Sequence, residues 1–246
     1  MPQSQPPAFT AILFGLSGCL VDFGSRTLPL ALTRLLPDCP VERLAKSAGL
    51  EPLAALDHAL GASASEAQLQ AFQQQLLDAA SEHAEVVADL DTLASLVDGS
   101  KVPCAWLDDL PAPASWRLAA PLPAWLRPSE LNGARPWPAP DSCWQALAGL
   151  GVSQLEGCVL VSANPRLLQA GLNAGLWTIG LAASGPLCGL APADWQALDS
   201  AERDRLRATA TLELYRLGAH SVIDHLGELG PCLADLASRR EKGEKP

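Results

Sequence analysis

The sequence predicts an α/β protein whose parallel-sheet core is interrupted, after its first strand, by an inserted block of helices. Three observations carry this. Short apolar runs fall at 9–14, 101–107, 115–119, 157–163, 176–181 and 219–223, each about the length of a buried parallel strand. Helical segments at 139–149, 165–174, 200–217 and 225–238 lie between most of the later runs, an alternation that indicates a parallel sheet. The stretch 26–98 carries no such run, and its apolar residues recur at helical spacing.

Taken in order, residues 1–8 are rich in Pro and Gln and are expected to fray. Phe9 to Phe14 reads as a buried strand that ends in a tight loop at Gly15. Leu69, Phe72, Leu76 and Leu77, then Leu90, Leu93, Leu96 and Val97, mark helices within the insert. Asp38 or Pro40, Glu51-Pro52 and Ser63 to Ser65 supply helix starts, so four or five helices and no strand are expected there. Residues 111–140 hold many prolines with Trp116, Trp125 and Trp137, and read as loop with one strand at 115–119. The simplest division is a core of residues 1–24 plus 99–246 and a helical insert, 25–98.

Composition narrows the function. The 246 residues carry Lys+Arg 17 against Asp+Glu 27, a net charge of −10, with 48 % hydrophobic residues. That excludes a disordered chain and offers no basic face for nucleic acid. The Arg239-Arg240-Glu241-Lys242 cluster alternates in sign and reads as a solvated tail. No apolar run approaches the ~20 residues of a membrane span. The start lacks a secretory signal, so a cytoplasmic, membrane-free protein is expected. Seven cysteines without a Cys-x-x-Cys pair fit neither a disulfide framework nor a zinc site and read as small buried hydrophobes.

Phe14-Gly15-Leu16-Ser17-Gly18-Cys19-Leu20-Val21-Asp22-Phe23-Gly24-Ser25 resembles the first motif of the haloacid dehalogenase (HAD) superfamily. Its Val-Asp-Phe-Gly-Ser continuation resembles the phosphonoacetaldehyde hydrolases in particular. Ala134-Arg135-Pro136-Trp137-Pro138 is similar to that family's Gly-Arg-Pro-Ala-Pro loop. Ala170-Gly171-Leu172-Asn173-Ala174-Gly175-Leu176-Trp177-Thr178-Ile179-Gly180 is similar to Glu-Gly-x-Asn-Ala-Gly-Met-Trp-Thr-Val-Gly. Gly189-Leu190 and Leu217-Gly218-Ala219-His220 extend the likeness. The resemblance implies a HAD-like Rossmannoid core with a parallel sheet and an inserted α-helical cap of the C1 type. It implies hydrolysis of a phosphonate or phosphate ester with magnesium, and a dimer formed through the cap helices, for which the apolar stripe at 69–97 could serve.

The reacting groups that the resemblance implies are missing. Gly15 stands at the nucleophilic aspartate and Ser17 two residues on. In the fourth motif, Val161-Ser162-Ala163-Asn164-Pro165-Arg166-Leu167, Ala163 and Leu167 replace the two acids, so magnesium loses its anionic ligands. No Ser or Thr lies between Lys101 and Leu110, and Trp106 falls near the position of the expected second-motif hydroxyl. Pro52 stands near the cap lysine that forms a Schiff base in the family, while Lys46 lies on the wrong side of the Ala48-Gly49-Leu50 turn. Arg135 is the one charged group retained, either as an anion-binding remnant or as a structural arginine. Gly18, Asn173, Gly175, Trp177 and Gly180 serve loop geometry and packing, and these persist.

The expectation is therefore a catalytically inactive HAD-like protein with a binding, regulatory or structural role. Gly15, Ser17, Gly18, Trp106, Arg135, Ala163 and Leu167 are its vestigial positions, with no catalytic residue, no metal and no cofactor. A ligand between cap and core, a second copy or a protein partner would be its target. The alternative is a hydrolase with altered chemistry, acting through Asp108, Asp109 or His58 on a substrate such as phosphonoacetaldehyde. Local sequence equally accounts for Asp57-His58 as a solvated helix face and for Asp108-Asp109 as a solvated turn. His220 and His225 have no ligand partner in sequence, and Gly15-Leu16-Ser17-Gly18 is not a nucleophile elbow.

Overall fold

The computed structural model describes residues 9–47, 49–129 and 131–246. The expected fraying of residues 1–8 lies outside that range, as does Ala48 of the cap turn. Six strands form one sheet: β1 (Ala11–Gly15), β2 (Cys104–Leu107), β3 (Arg127–Pro128), β4 (Cys158–Ser162), β5 (Trp177–Leu181) and β6 (Ser221–Ile223). Their order is β3-β2-β1-β4-β5-β6, and every neighbouring pair is parallel. The chain order reverses beside β1, so the crevice above the ends of β1 and β4 is the topological switch point where such sheets bind ligands.

Side chains alternate across the central strands. Ile12 and Phe14 of β1, Cys104 and Trp106 of β2, and Val159 and Val161 of β4 enter one core. Leu13, Ala105, Leu107, Cys158 and Leu160 enter the other. This period of two is what a strand buried on both faces requires.

Five helices separate β1 from β2, as expected: α1 (Thr27–Leu35), α2 (Val41–Ser47), α3 (Pro52–Leu60), α4 (Glu66–His83) and α5 (Leu90–Ser100). Pro52 opens the first turn of α3, where its missing N–H costs nothing. Ser65 and Gln68 close a capping box on α4. The last of the five, α5, lies against a 3₁₀ turn at Leu226–Glu228 next to the C-terminal helix. Phe72, Leu76 and Leu93 of the apolar stripe are buried within the molecule, and Leu69, Leu96 and Val97 pack onto the same core. Much of the stripe expected to supply a dimer surface is thus packed into the molecule's own core.

Beyond β2 the helices are α6 (Ala112–Ala119), α7 (Asp141–Gly149), α8 (Pro165–Asn173), α9 (Pro192–Ala197), α10 (Ser200–Leu217) and α11 (Leu229–Glu241). The strand expected at 115–119 is α6 instead. Pro111 and Pro113 suit a helix start, and Ala114 and Leu118 fall on one helical face, packed towards α4. The strand of that region is the two-residue β3. α9 was not anticipated.

The resembling motifs touch one another. Asn173 Nδ2 donates to the Pro138 carbonyl at 2.8 Å, tying α8 to the proline loop. A Cβ on Gly171 would meet Leu160 and Thr178 side chains, so glycine lets α8 approach the sheet closely. Trp177 is buried, with its ring 4.8 Å from that of His220 and the Arg239 guanidinium 5.0 Å from its centroid. All seven cysteines are free, and five of them are buried. Among the described residues, no helix is long and apolar enough to cross a membrane.

Candidate active-site cleft

A cavity of about 570 Å³ opens over the ends of β1, β2 and β4. The core supplies Gly15, Ser17, Leu107, Asp108, Asp109, Asn164, Arg166 and Leu167, and the insert supplies Arg26, Leu28, Ala45, Gly49 and Leu50. The cleft is thus shared between the core and the inserted helices.

At the end of β1 the space beside Gly15 is filled. A Cβ there would sit 2.6 Å from Ser162 Oγ, 3.3 Å from Ser162 Cβ and 3.4 Å from a Leu167 methyl. Ser162 is buried, and its Oγ accepts the Asn164 N–H at 3.0 Å. Asn164 in turn caps α8, its Oδ1 accepting from Arg166 N at 2.9 Å. Ala163 is buried against Gly185, and Leu167 is buried between cleft and core. Carbon, a hydroxyl and a committed amide therefore surround the ends of β1 and β4, with no carboxylate from positions 15, 163 or 167. Among the described residues, no group of three His, Cys, Asp or Glu is placed to hold a metal ion.

Charge enters the cleft elsewhere. Asp108 and Asp109 follow β2 directly. Ser115 Oγ of α6 donates to Asp108 at 2.8 Å, and Arg166 of α8 reaches Asp109 at 2.7 Å and the Trp137 carbonyl at 2.9 Å. Burial, then the neighbouring Asp109 charge, pushes the Asp108 carboxyl up to about 7. Burial also raises Asp109, to about 6, against the opposing pull of Arg166. The two side by side titrate as a unit near neutrality.

Asp22 anchors the cap side. It is fully buried, with φ +55°, and its carboxylate accepts from Ser17 Oγ at 2.8 Å, Arg26 N at 2.9 Å and Thr27 N at 3.1 Å. It thus serves orphan N–H groups at the start of α1. His83, at the end of α4, lies 3.7 Å away and within 3.3 Å of Thr27 Oγ1. Burial lowers the imidazole pKa more than Asp22 raises it, which favours the neutral ring. Arg26 also reaches back to Glu85 and the Phe23 carbonyl.

Several expected site residues lie elsewhere. Arg135 does not line the cleft: its side chain is 70 % exposed and pairs with Asp141 at the start of α7. Arg166 is the cation that the core contributes instead. Trp106 points into the opposite core and packs edge-on against Trp116 at 5.9 Å, because its neighbour Leu107 takes the cleft-side direction. Asp108 is the residue at that strand end. Ser17, Gly15 and Leu167 do line the cleft. Gly18, at φ +73°, is buried behind it, with its carbonyl accepting from Ser184 Oγ.

Lys46 is exposed and Pro52 is buried, and neither lines the cavity. Asp57 and His58 form no dyad. Asp57 accepts from Ala64 N at 2.8 Å, and His58 Nδ1 meets Ser47 Oγ at 2.9 Å. His220 Nδ1 accepts the Thr178 N–H, and His225 pairs with Asp89. Sequence reasoning missed the Asp22–His83 contact and the role of Arg166. An acid five residues before the start of α1 was a signal for Asp22; nothing local announced His83.

The comparisons with known proteins agree with this architecture. No family model matches the chain. It is 38 % identical over 126 residues to the phosphonoacetaldehyde hydrolase of Aeromonas hydrophila, covering 50 % of this chain and 43 % of that protein. One solved structure is 47 % identical over 97 % of this chain and all of its own, with a TM-score of 0.73. The structure of a phosphonoacetaldehyde hydrolase-like protein from Oleispira antarctica covers both chains fully, with a TM-score of 0.85 at 22 % identity. The fold is that of the haloacid dehalogenase-like hydrolases, and the sequence is phosphonatase-like. The chain spans less than half the length of the Aeromonas hydrolase that it matches.

Proposed function

We propose that this chain uses the HAD phosphonatase-like scaffold to bind a ligand between cap and core, without the superfamily's covalent, magnesium-assisted hydrolysis. The observation that carries the reading is the filled space beside Gly15. Ser162 and Leu167 occupy the volume that a carboxylate at that strand end would need. The donor set does not fit magnesium either: Gly15, Ala163 and Leu167 offer side chains without oxygen, and Asn164 Oδ1 is engaged in capping α8.

The cleft also suits a phosphate dianion poorly. Both arginines that line it are engaged, Arg26 by Glu85 and Arg166 by Asp109. Two acids face the same space. An uncharged or amine-bearing metabolite fits this lining better. Association of two copies through the cap would have to use residues such as Val41 and Leu53, which stand 76 % and 50 % exposed.

The test is hydrolysis of phosphonoacetaldehyde and a panel of phosphomonoesters, with and without magnesium, by purified protein. No turnover is expected. Turnover that co-elutes with the protein and falls in Asp108→Asn would overturn the reading.

One observation favours a second reading, hydrolysis by altered chemistry. Asp108, protonated near neutrality, has the poise of a general acid. The nucleophile is its weak point. Ser17 Oγ donates to Asp22, but that carboxylate already accepts the Arg26 and Thr27 N–H groups and is committed to holding the start of α1.

A further inference from the structure

A second cavity, of about 1060 Å³, lies away from the cleft, at the entry end of β2. It forms because β3 is two residues long and pairs only with Ala105 and Trp106, which leaves the start of β2 uncovered between α5 and α7. Its charge differs from that of the rest of the molecule. In a chain of net charge −10, it is lined by Lys101 and Arg127 and by no carboxylate among the described residues.

Among the described residues, neither cation makes an ion pair, whereas both arginines of the cleft are paired. Ser129 is also in the lining, although its Oγ is turned away from the open space, and among the described residues that hydroxyl has no hydrogen-bond partner. Trp125 adds a large apolar surface to the same wall. Lys101 itself ends α5 at φ +55° and ψ 24°, a left-handed position that glycine fills without strain.

We propose that this groove is an anion-binding site, separate from the cleft, for a small molecule with a phosphate or carboxylate group and an apolar or planar body. Lys101 and Arg127 hold the anion, and Trp125 covers the body. The charge argument favours a doubly charged phosphate monoester over a carboxylate.

The probe is phenyl phosphate, titrated into 15N-labelled protein, with benzyl alcohol as the body without the charge. The variants are Lys101→Gly and Arg127→Gln. Lys101→Gly removes the ammonium while relieving the backbone, so loss of binding cannot be ascribed to unfolding. Phenyl phosphate is expected to shift amides of 101–105 and 125–129. Each variant should weaken it about tenfold, the scale of one charge-assisted contact. Benzyl alcohol should bind far more weakly. Shifts confined to Ser17, Asp108 and their neighbours, equal binding by the double variant, or no shift at 10-fold molar excess and millimolar probe would each overturn the proposal.

Discussion

Gly15 is where residue chemistry and packing meet most closely. Gly15→Ala drives a methyl to within 2.6 Å of Ser162 Oγ inside a packed core, and should cost ~1–3 kcal/mol, read from urea unfolding. In a double-mutant cycle, Ser162→Ala should cost less in the Gly15→Ala background than in the parent, because it removes the clashing atom. Additive costs would mean that the core relaxes around the methyl. Asp108 offers a test of another kind. Its folded pKa, about 7, lies above the ordinary carboxylate value, so the unfolded chain releases this proton first as pH rises. The stability linked to Asp108 is therefore full below about pH 4 and is lost as pH climbs to about 7. Asp108→Asn should match the parent's stability near pH 4 and exceed it at pH 8. That positions 15, 163 and 167 carry no acid was legible as letters. That Ser162 and Leu167 pack beside Gly15 was not, because packing across strands leaves no local trace.

Among the elements, legibility followed the clarity of the period. β1, β4 and β5 are continuous apolar runs and were readable. α6 was mistaken for a strand because five residues of mixed polarity fit either period, and its proline-rich start read as loop. The two residues of β3 were too few to carry any pattern. The junction of α1 and α4 is the clearest case of structure beyond sequence. There one buried carboxylate, Asp22, serves the start of α1 and the Ser17 hydroxyl, with His83 at the end of α4 3.7 Å away. Asp22→Ala leaves those donors unpaired and should cost ~3 kcal/mol. Amide hydrogen exchange should rise first at the start of α1. Protection unchanged there would show that the helix holds without its acid.

The molecule as a whole divides its charge. The cleft at the switch point carries paired acids with engaged arginines, and the groove at the entry end of β2 carries cations that make no ion pair among the described residues. Magnesium at 10 mM should leave the melting temperature unchanged, since a ligand with no site gives no linkage stabilisation. A rise of several degrees would reveal a metal site. The fold, with its insert, was legible from the alternation of runs and from three resembling motifs. The cleft's real cation, Arg166, was obscured because Arg135 sits in the better motif match. The tight seating of Ser162 beside Gly15 also ties two positions together. A side chain could enter at position 15 only after Ser162 yields, yet Ser162 holds the turn into α8 through the Asn164 N–H. The end of β1 and the start of α8 can therefore change only in concert, like two parts of one latch.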